Sequence, residues 1–161
     1  MSALVRTTRD PLTTIVRLTV ALVLFPHGAQ HVLGWFGGYG FRGTLGWMTG
    51  TLGFPAAFAV VALVTEIAAP IALLVGAGGR PAALGVIGLM LGALSTHVAN
   101  GFFMNWFGTL PAGSEGFEYH ILMIALAVVV AVRGSGAWSV DGLFAREGTT
   151  AAPARALRAA A

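Results

Sequence analysis

The 161-residue chain contains no cysteine, and each of its nine basic residues is an arginine rather than a lysine. Without cysteine the chain offers no disulfide exchange, no thiolate nucleophile, no iron–sulfur ligation and no cysteine-bound zinc. Any redox role would therefore need a bound cofactor or a partner protein.

Charged residues are also scarce: they make up only 9% of the chain, whereas 57% of the residues are hydrophobic. A soluble domain carries roughly a quarter charged residues. The mean hydropathy of +0.83 predicts that lipid is the solvent for much of a single folded domain. The pI near 10.6 does not indicate nucleic-acid binding, since the arginines flank apolar segments as membrane topology signals do.

Four apolar stretches approach the roughly 20 residues that a helix needs to cross a bilayer. They cover about residues 12–33, 55–75, 81–99 and 117–132 and predict an all-α, four-transmembrane-helix bundle. The first stretch is interpreted as a retained helix rather than a cleaved signal peptide. It is longer than a usual signal core and contains Arg17 and His27.

The arginines predict the orientation of the bundle, because cytoplasmic segments carry an excess of positive charge. Of the arginines, the two loops on the other side contain only Arg42, in the first loop, and Glu115 in the second loop offsets its charge. We therefore expect a multi-pass protein of a bacterial inner membrane with both termini and the 76–80 turn in the cytoplasm. Residues 1–144 would form the membrane domain and 145–161 a disordered tail. The arginines on the predicted cytoplasmic side are Arg6, Arg9, Arg80, Arg133, Arg146, Arg155 and Arg158.

Two loops rich in glycine and aromatic residues face the predicted outer side, at about residues 34–54 and 101–117. The first is interpreted as a loop or short amphipathic helix on the outer surface, or alternatively as a lid over a site. In the third stretch Gly88 and Gly92 are four residues apart and form a small-residue stripe for close helix packing. This stripe is interpreted either as a packing surface within the bundle or as a homodimer face.

Arg17 and Glu66 are ionisable residues inside predicted spans, where such residues are costly unless paired or facing a cavity. Counting about 1.5 Å per residue places Arg17 about 8 Å and Glu66 about 13 Å from the cytoplasmic side. The sequence therefore predicts that the two side chains pair. The pair would either fix the packing of the first two helices or act in catalysis by handling protons.

All four histidines are predicted at the outer membrane face, although they come from three helices. His27 and His31 are four residues apart and share one helix face. One interpretation is a polar pocket that binds a ligand headgroup, such as a quinone carbonyl. A metal or haem site is the second, and histidines solvated at helix ends are the third. The predicted ligand-binding residues are His27, His31, His97, Asn100, Glu118 and His120, and the metal alternative uses His27, His31, His97 and His120.

Several ordered motifs resemble the DoxX family of small four-helix membrane proteins. They are RLTVALVLFPHGAQHVLGWFGGYGFRGT, VTEIAAPIALLVGAGGRPAALG, STHVANGFFMNWFG, GFEYHILMIALAVVV and WSVDGLF, covering about residues 12–144. His31 departs from the family pattern, because relatives commonly have lysine there. The positions that match are Arg17, His27, Gly28, Gly34, Phe36, Gly37, Gly38, Glu66, Arg80, His97, Asn100, Gly101, Glu118, Tyr119 and Asp141.

The resemblance implies an association with membrane redox chemistry, since one relative is a subunit of a thiosulfate:quinone oxidoreductase. The leading hypothesis is a redox-associated subunit that binds a quinone or similar lipophilic ligand near the outer face, beside other membrane or redox subunits. The rival is a non-catalytic accessory or assembly subunit of a larger complex. A small transporter is a third hypothesis, disfavoured because no inverted repeat is evident.

Overall fold

The computed structural model describes residues 3–111 and 113–147, which form an all-α structure without β-strands. Short 3₁₀ turns at Ala3–Val5, Trp35–Gly37 and Val98–Asn100 supplement the helices, and a π-helical turn at Ala29–Leu33 extends the first one. The α-helices are α1 (Pro11–Gly28), α2 (Gly40–Gly50), α3 (Ala56–Val75), α4 (Gly79–His97), α5 (Glu118–Arg133) and α6 (Val140–Glu147).

In the part of the chain that the structure describes, three segments are long and apolar enough to cross a membrane: Pro11–Leu33, Ala56–Val75 and Gly79–Asn100. These segments confirm the first three predicted spans and a multi-pass membrane protein. Helix α5 has 16 residues and is therefore about 24 Å long, shorter than a hydrocarbon core of about 30 Å. The fourth crossing stays a prediction.

Helices α1, α3, α4 and α5 pack around one apolar core. Helix α5 runs antiparallel to α4 over its whole length, because His120 at its start lies beside His97 and Ser135 just after its end lies beside Gly79. Small and branched residues allow this close packing. The core is formed by Val20, Ala21, Leu24, Ala69, Leu73, Ala83, Val86, Met90, Met123, Ala127 and Val130.

The N-terminal segment, the 76–80 turn and the 133–141 segment meet at one end of the bundle, which we call the arginine end. Asp10 caps α1 by accepting from the Leu12 backbone N–H at 3.1 Å and the Thr13 hydroxyl at 2.8 Å. Asp141 accepts from the backbone N–H groups of Gly78 at 2.9 Å and Gly79 at 3.0 Å. These carboxylates satisfy donors that helix starts leave unpaired.

The predicted pairing of Arg17 with Glu66 is wrong. The Arg17 side chain is buried at the arginine end and donates to the backbone carbonyls of Leu73, of Leu74 at 2.8 Å and of Trp138 at 3.3 Å. The last turn of a helix leaves carbonyls without a full set of helical partners, and a cation at a helix C-terminus is favourable. Of the two α3 carbonyls, Leu73 also accepts from the Gly76 backbone N–H at 3.2 Å. Glu66 lies two turns earlier, about 10 Å along the helix axis from Leu73.

The glycine and aromatic segment at residues 34–54 contains a helix, α2, as one of its interpretations predicted. In α4 a Cβ at Gly92 would contact Phe58 on α3, whereas Gly88 faces open space. The stripe thus serves packing inside the bundle at Gly92 but not at Gly88. Helix α6 reaches three residues into the predicted tail, and residues 148–161 lie outside the described part of the chain.

A candidate ligand cavity at the histidine end

Helix α1 changes geometry where it approaches the opposite end of the bundle, which we call the histidine end after His31, His97 and His120. Pro26 lies inside α1, and the π-helical turn Ala29–Leu33 follows it. Such turns occur frequently at functional sites. Gly28 lies so close to α3 that an added Cβ would overlap the Glu66 carbonyl oxygen. This close approach brings the last turn of α1 against the middle of α3.

His31 and Glu66 form the polar centre of the histidine end. The Nδ1 atom of His31 lies 3.0 Å from Oε1 and 2.9 Å from Oε2 of the buried Glu66. A carboxylate accepts hydrogen bonds, so Nδ1 carries the donated proton. The Nε2 atom of His31 is then a donor when the ring is protonated and an acceptor when it is neutral.

A cavity of about 140 Å³ adjoins this pair between α2, α3 and α4. Its volume is close to that of an engineered cavity of about 150 Å³ that holds benzene, so it suits one six-membered ring. Polar groups are few among mainly apolar and aromatic walls, as in small-molecule sites generally. The lining residues are His31, Thr44, Trp47, Met48, Leu52, Phe54, Phe58, Ala62, Glu66, Leu89, Gly92, Ala93, Thr96 and His97.

A second cluster of polar side chains lies where α4 and α5 meet. The rings of His97 and His120 are 4.7 Å apart between centroids, and His97 Nδ1 donates to the Ala93 carbonyl at 2.9 Å. Within the described residues, the buried Nδ1 of His120 and the buried hydroxyl of Tyr119 have no hydrogen-bond partner. Such buried polar atoms call for an explanation, such as a water molecule or a ligand.

The remaining predicted ligand-binding residues do not line the cavity. His27 packs beside Tyr119 of α5, with ring centroids 6.0 Å apart, and so contacts a different helix from His31. The Asn100 amide donates to two loop carbonyls at 3.0 Å each. Glu118 accepts from the Met104 backbone N–H at 3.2 Å and the Trp106 indole at 3.0 Å. Asn100 and Glu118 thus hold the loop between α4 and α5.

The four-histidine metal site is not supported by the geometry. Among residues 3–111 and 113–147, no group of three or more histidine or carboxylate side chains is placed to hold a metal ion. The histidines divide instead into His31 with Glu66, His97 with His120, and His27 with Tyr119.

The sequence offered a lid over a site as one interpretation of residues 34–54, but it singled out no residue of α2 for the site. Thr44 is buried and its hydroxyl donates to the His31 carbonyl at 3.0 Å, which fixes α2 across the end of α1. Trp47 and Met48 then form one wall of the cavity. Their spacing from Thr44 at three and four residues places all three on one helix face, which was the available signal for the lid interpretation.

Apolar helices of spanning length, with a polar cluster and a cavity at one end, define a small multi-pass α-helical membrane protein. The chain belongs to the DoxX family, whose model matches residues 12–106, more than half of the chain. This match includes His31, Glu66 and His97 but ends before α5. No curated protein and no solved structure matches the chain.

Proposed function

We propose that this DoxX protein binds a quinone, or a lipophilic ligand with a similar planar carbonyl-bearing ring, in the cavity at the histidine end. The observation that carries the proposal is the cavity itself, which is about 140 Å³ in volume and has the His31–Glu66 pair in its wall. An apolar site with a few placed polar groups is what a lipophilic headgroup requires.

The polar groups of the wall match the chemistry of a quinone carbonyl. Because Glu66 holds the Nδ1 proton of His31, the Nε2 atom of the same ring is left for a ligand. In the protonated ring this atom donates to a carbonyl, and in the neutral ring it accepts from a hydroxyl. His31 and Glu66 would therefore suit both the oxidised and the reduced headgroup.

A bound quinone would supply two-electron redox chemistry, for which the chain itself has no cysteine. In this function His31 and Glu66 bind the quinone and handle its protons, and a partner subunit supplies the electrons. Arg17 has no part in this site, because its guanidinium is committed to carbonyls at the arginine end.

We expect His31→Ala and Glu66→Gln to bind quinone more weakly than wild type. The measurement is a titration of each protein with a short-chain ubiquinone and with a short-chain menaquinone. Each variant should raise the dissociation constant about tenfold, since a hydrogen bond involving a charged group contributes about 1.5–3 kcal/mol. Binding to protein in detergent micelles can be followed by quenching of tryptophan fluorescence, because Trp47 lines the cavity.

His27→Ala is the matched control, because it removes a histidine from the same helix that does not line the cavity. Its dissociation constant should stay within about twofold of wild type, well under the tenfold that corresponds to 1.4 kcal/mol. Equal losses in His27→Ala and His31→Ala, or no saturable binding to wild type, would remove the basis for the proposal.

A second candidate function is that of an accessory subunit, favoured by the exposed aromatic residues of the loop between α4 and α5. Phe107 is 91% exposed, and Phe103 and Trp106 are also largely exposed. Such residues suit either the bilayer interface or a partner surface. Purification in mild detergent would separate the two functions, because large subunits bound without any lipophilic ligand favour the accessory role.

The proposed topology has four crossings, both termini in the cytoplasm and the cavity near the outer face of the inner membrane. It is supported by α5 running the full length of α4 and by the arginines at the arginine end, which positive-inside statistics assign to the cytoplasm. The protein could also assemble as a homodimer. Gly88 would suit such an interface, because it is a small residue with no neighbouring atom within 4 Å of an added Cβ.

A further inference from the structure

A groove of about 530 Å³ lies at the arginine end, away from the ligand cavity. Its walls include Pro11, the first residue of one candidate membrane span, and Val75, the last residue of another. Both spans end at this groove, so it lies at the boundary between hydrocarbon and headgroups whichever way the protein is oriented.

Trp138 is held at the groove in an unusual backbone conformation. Its φ of 48° is in the left-handed region, which residues other than glycine rarely adopt. The turn around it is fixed from several sides, since Arg17 donates to the Trp138 carbonyl at 3.3 Å and the Thr14 hydroxyl donates to the Ala137 carbonyl at 2.7 Å. The result is an indole that is 81% exposed at the depth where tryptophan is enriched in membrane proteins.

Arg9 lies in the wall of the same groove, is exposed, and has neither an ion pair nor a hydrogen bond to the described residues. The neighbouring Asp10 carboxylate is committed to its Thr13 cap and to Arg133 Nη2 at 3.2 Å. The pKa of Asp10 is lowered, mainly by the hydrogen bond that its carboxylate accepts from the Thr13 hydroxyl. Asp141 is equally committed, to Gly78, Gly79 and Ser135. Among residues 3–111 and 113–147, the positive charge of Arg9 is therefore left without a partner.

We propose that this groove binds an anionic phospholipid, whose phosphate pairs with Arg9 and whose acyl chain lies along Val75, Leu143 and the indole of Trp138. The combination of an unpaired guanidinium, an exposed interfacial tryptophan and apolar walls matches the headgroup and the start of an acyl chain. An inorganic anion would use only the first of these features. The site is independent of the ligand cavity at the other end of the bundle.

Native mass spectrometry of the full chain in detergent tests the proposal, with phosphatidylglycerol and phosphatidylcholine of identical acyl chains as probes. Wild type should bind phosphatidylglycerol about fivefold more tightly than phosphatidylcholine, and Arg9→Gln should lose that preference. Trp138→Ala should weaken the binding of both lipids about fivefold, because the acyl chains that contact the indole are identical. Arg42→Gln is the matched control, because it removes one exposed arginine at the histidine end and should leave binding unchanged.

Equal losses in Arg9→Gln and Arg42→Gln would show that only net charge matters and would overturn the proposal. Displacement of phosphatidylglycerol by millimolar inorganic phosphate would also overturn it, by showing a simple anion site. Should a variant fail to fold, wild type alone decides, since no preference for phosphatidylglycerol over phosphatidylcholine contradicts the site.

Discussion

Gly28→Ala is expected to destabilise the bundle by about 3 kcal/mol, the upper part of the usual range for overpacking. The new Cβ would overlap the backbone carbonyl oxygen of Glu66 and press on the backbone of Ile67. Backbone atoms cannot rotate away as a side chain can, so α1 and α3 must separate. Unfolding in mixed micelles of increasing SDS content, followed by far-UV circular dichroism, would measure the loss.

Gly88→Ala provides the control for this prediction. Gly88 also lies inside a long helix, but nothing is within 4 Å of its added Cβ. We expect it to be neutral or stabilising by up to about 1 kcal/mol, because alanine favours a helix over glycine. Similar stabilities of the two variants would contradict the close approach of α1 and α3 at Gly28.

The same substitution should also affect the site. Gly28 lies about one turn before His31, and the contact at Gly28 sets the distance between the backbones that carry His31 and Glu66. Folded Gly28→Ala protein should therefore bind quinone more weakly than wild type, while Gly88→Ala should bind normally. This links the packing of the first two spans to ligand binding.

Arg17→Met is the second substitution with a large expected effect, a loss of about 3 kcal/mol of stability. Arg17 is 1% exposed and donates to three backbone carbonyls. Methionine fills part of the volume but removes the donor to the Leu74 and Trp138 carbonyls, while the Leu73 carbonyl keeps the Gly76 backbone N–H at 3.2 Å. Each buried unsatisfied group costs about 1–3 kcal/mol. The expected value is below the sum because a water molecule can reach the bundle end.

A double-mutant cycle decides whether Arg17 acts with Glu66. Since Arg17 and Glu66 contact different groups, the stability effects of Arg17→Met and Glu66→Gln should add within about 0.5 kcal/mol. By contrast, His31→Ala and Glu66→Gln should show a coupling energy above about 1 kcal/mol, because those side chains are hydrogen-bonded. A coupling of that size between Arg17 and Glu66 would restore the predicted pair.

The first three spans could be predicted from the sequence because their signal is local. Runs of apolar residues mark them, and Pro11 and Gly76 stand near their ends, where proline starts and glycine stops helices. Helix α5 was also predicted in place, yet its crossing is not established, because 16 residues lie near the lower limit for a span.

The partners of the buried polar residues could not be predicted in the same way. Depth counting gave similar levels for Arg17 and Glu66, but it ignored the carbonyls that α3 leaves unpaired at its last turn. The placement of His27 and His31 on one face assumed regular α-helical geometry between them, whereas the π-helical turn at Ala29–Leu33 separates their environments. Depth along a helix does not specify which neighbouring helix a side chain meets.

The clustering of histidines did predict the end of the bundle that contains the cavity. It did not predict the cavity's membership, because Thr44, Trp47 and Met48 come from a segment whose helix lies outside the spans. Asn100 and Glu118 shared the level of the site, but their hydrogen bonds go to the adjacent loop. Lying at the same depth as the cavity was therefore not enough to make a residue part of its wall.

The most direct test of the proposed function is analysis of the small lipophilic molecules extracted from gently purified protein, comparing wild type with Ala62→Phe. Ala62 lines the cavity one turn before Glu66, so a phenyl ring there should fill the space for a headgroup. Ala68→Phe, on an exposed face of the same helix, is the control. We expect a stoichiometric quinone with wild type and Ala68→Phe and none with Ala62→Phe. Absence of quinone from wild type, or its retention by Ala62→Phe, would contradict the account.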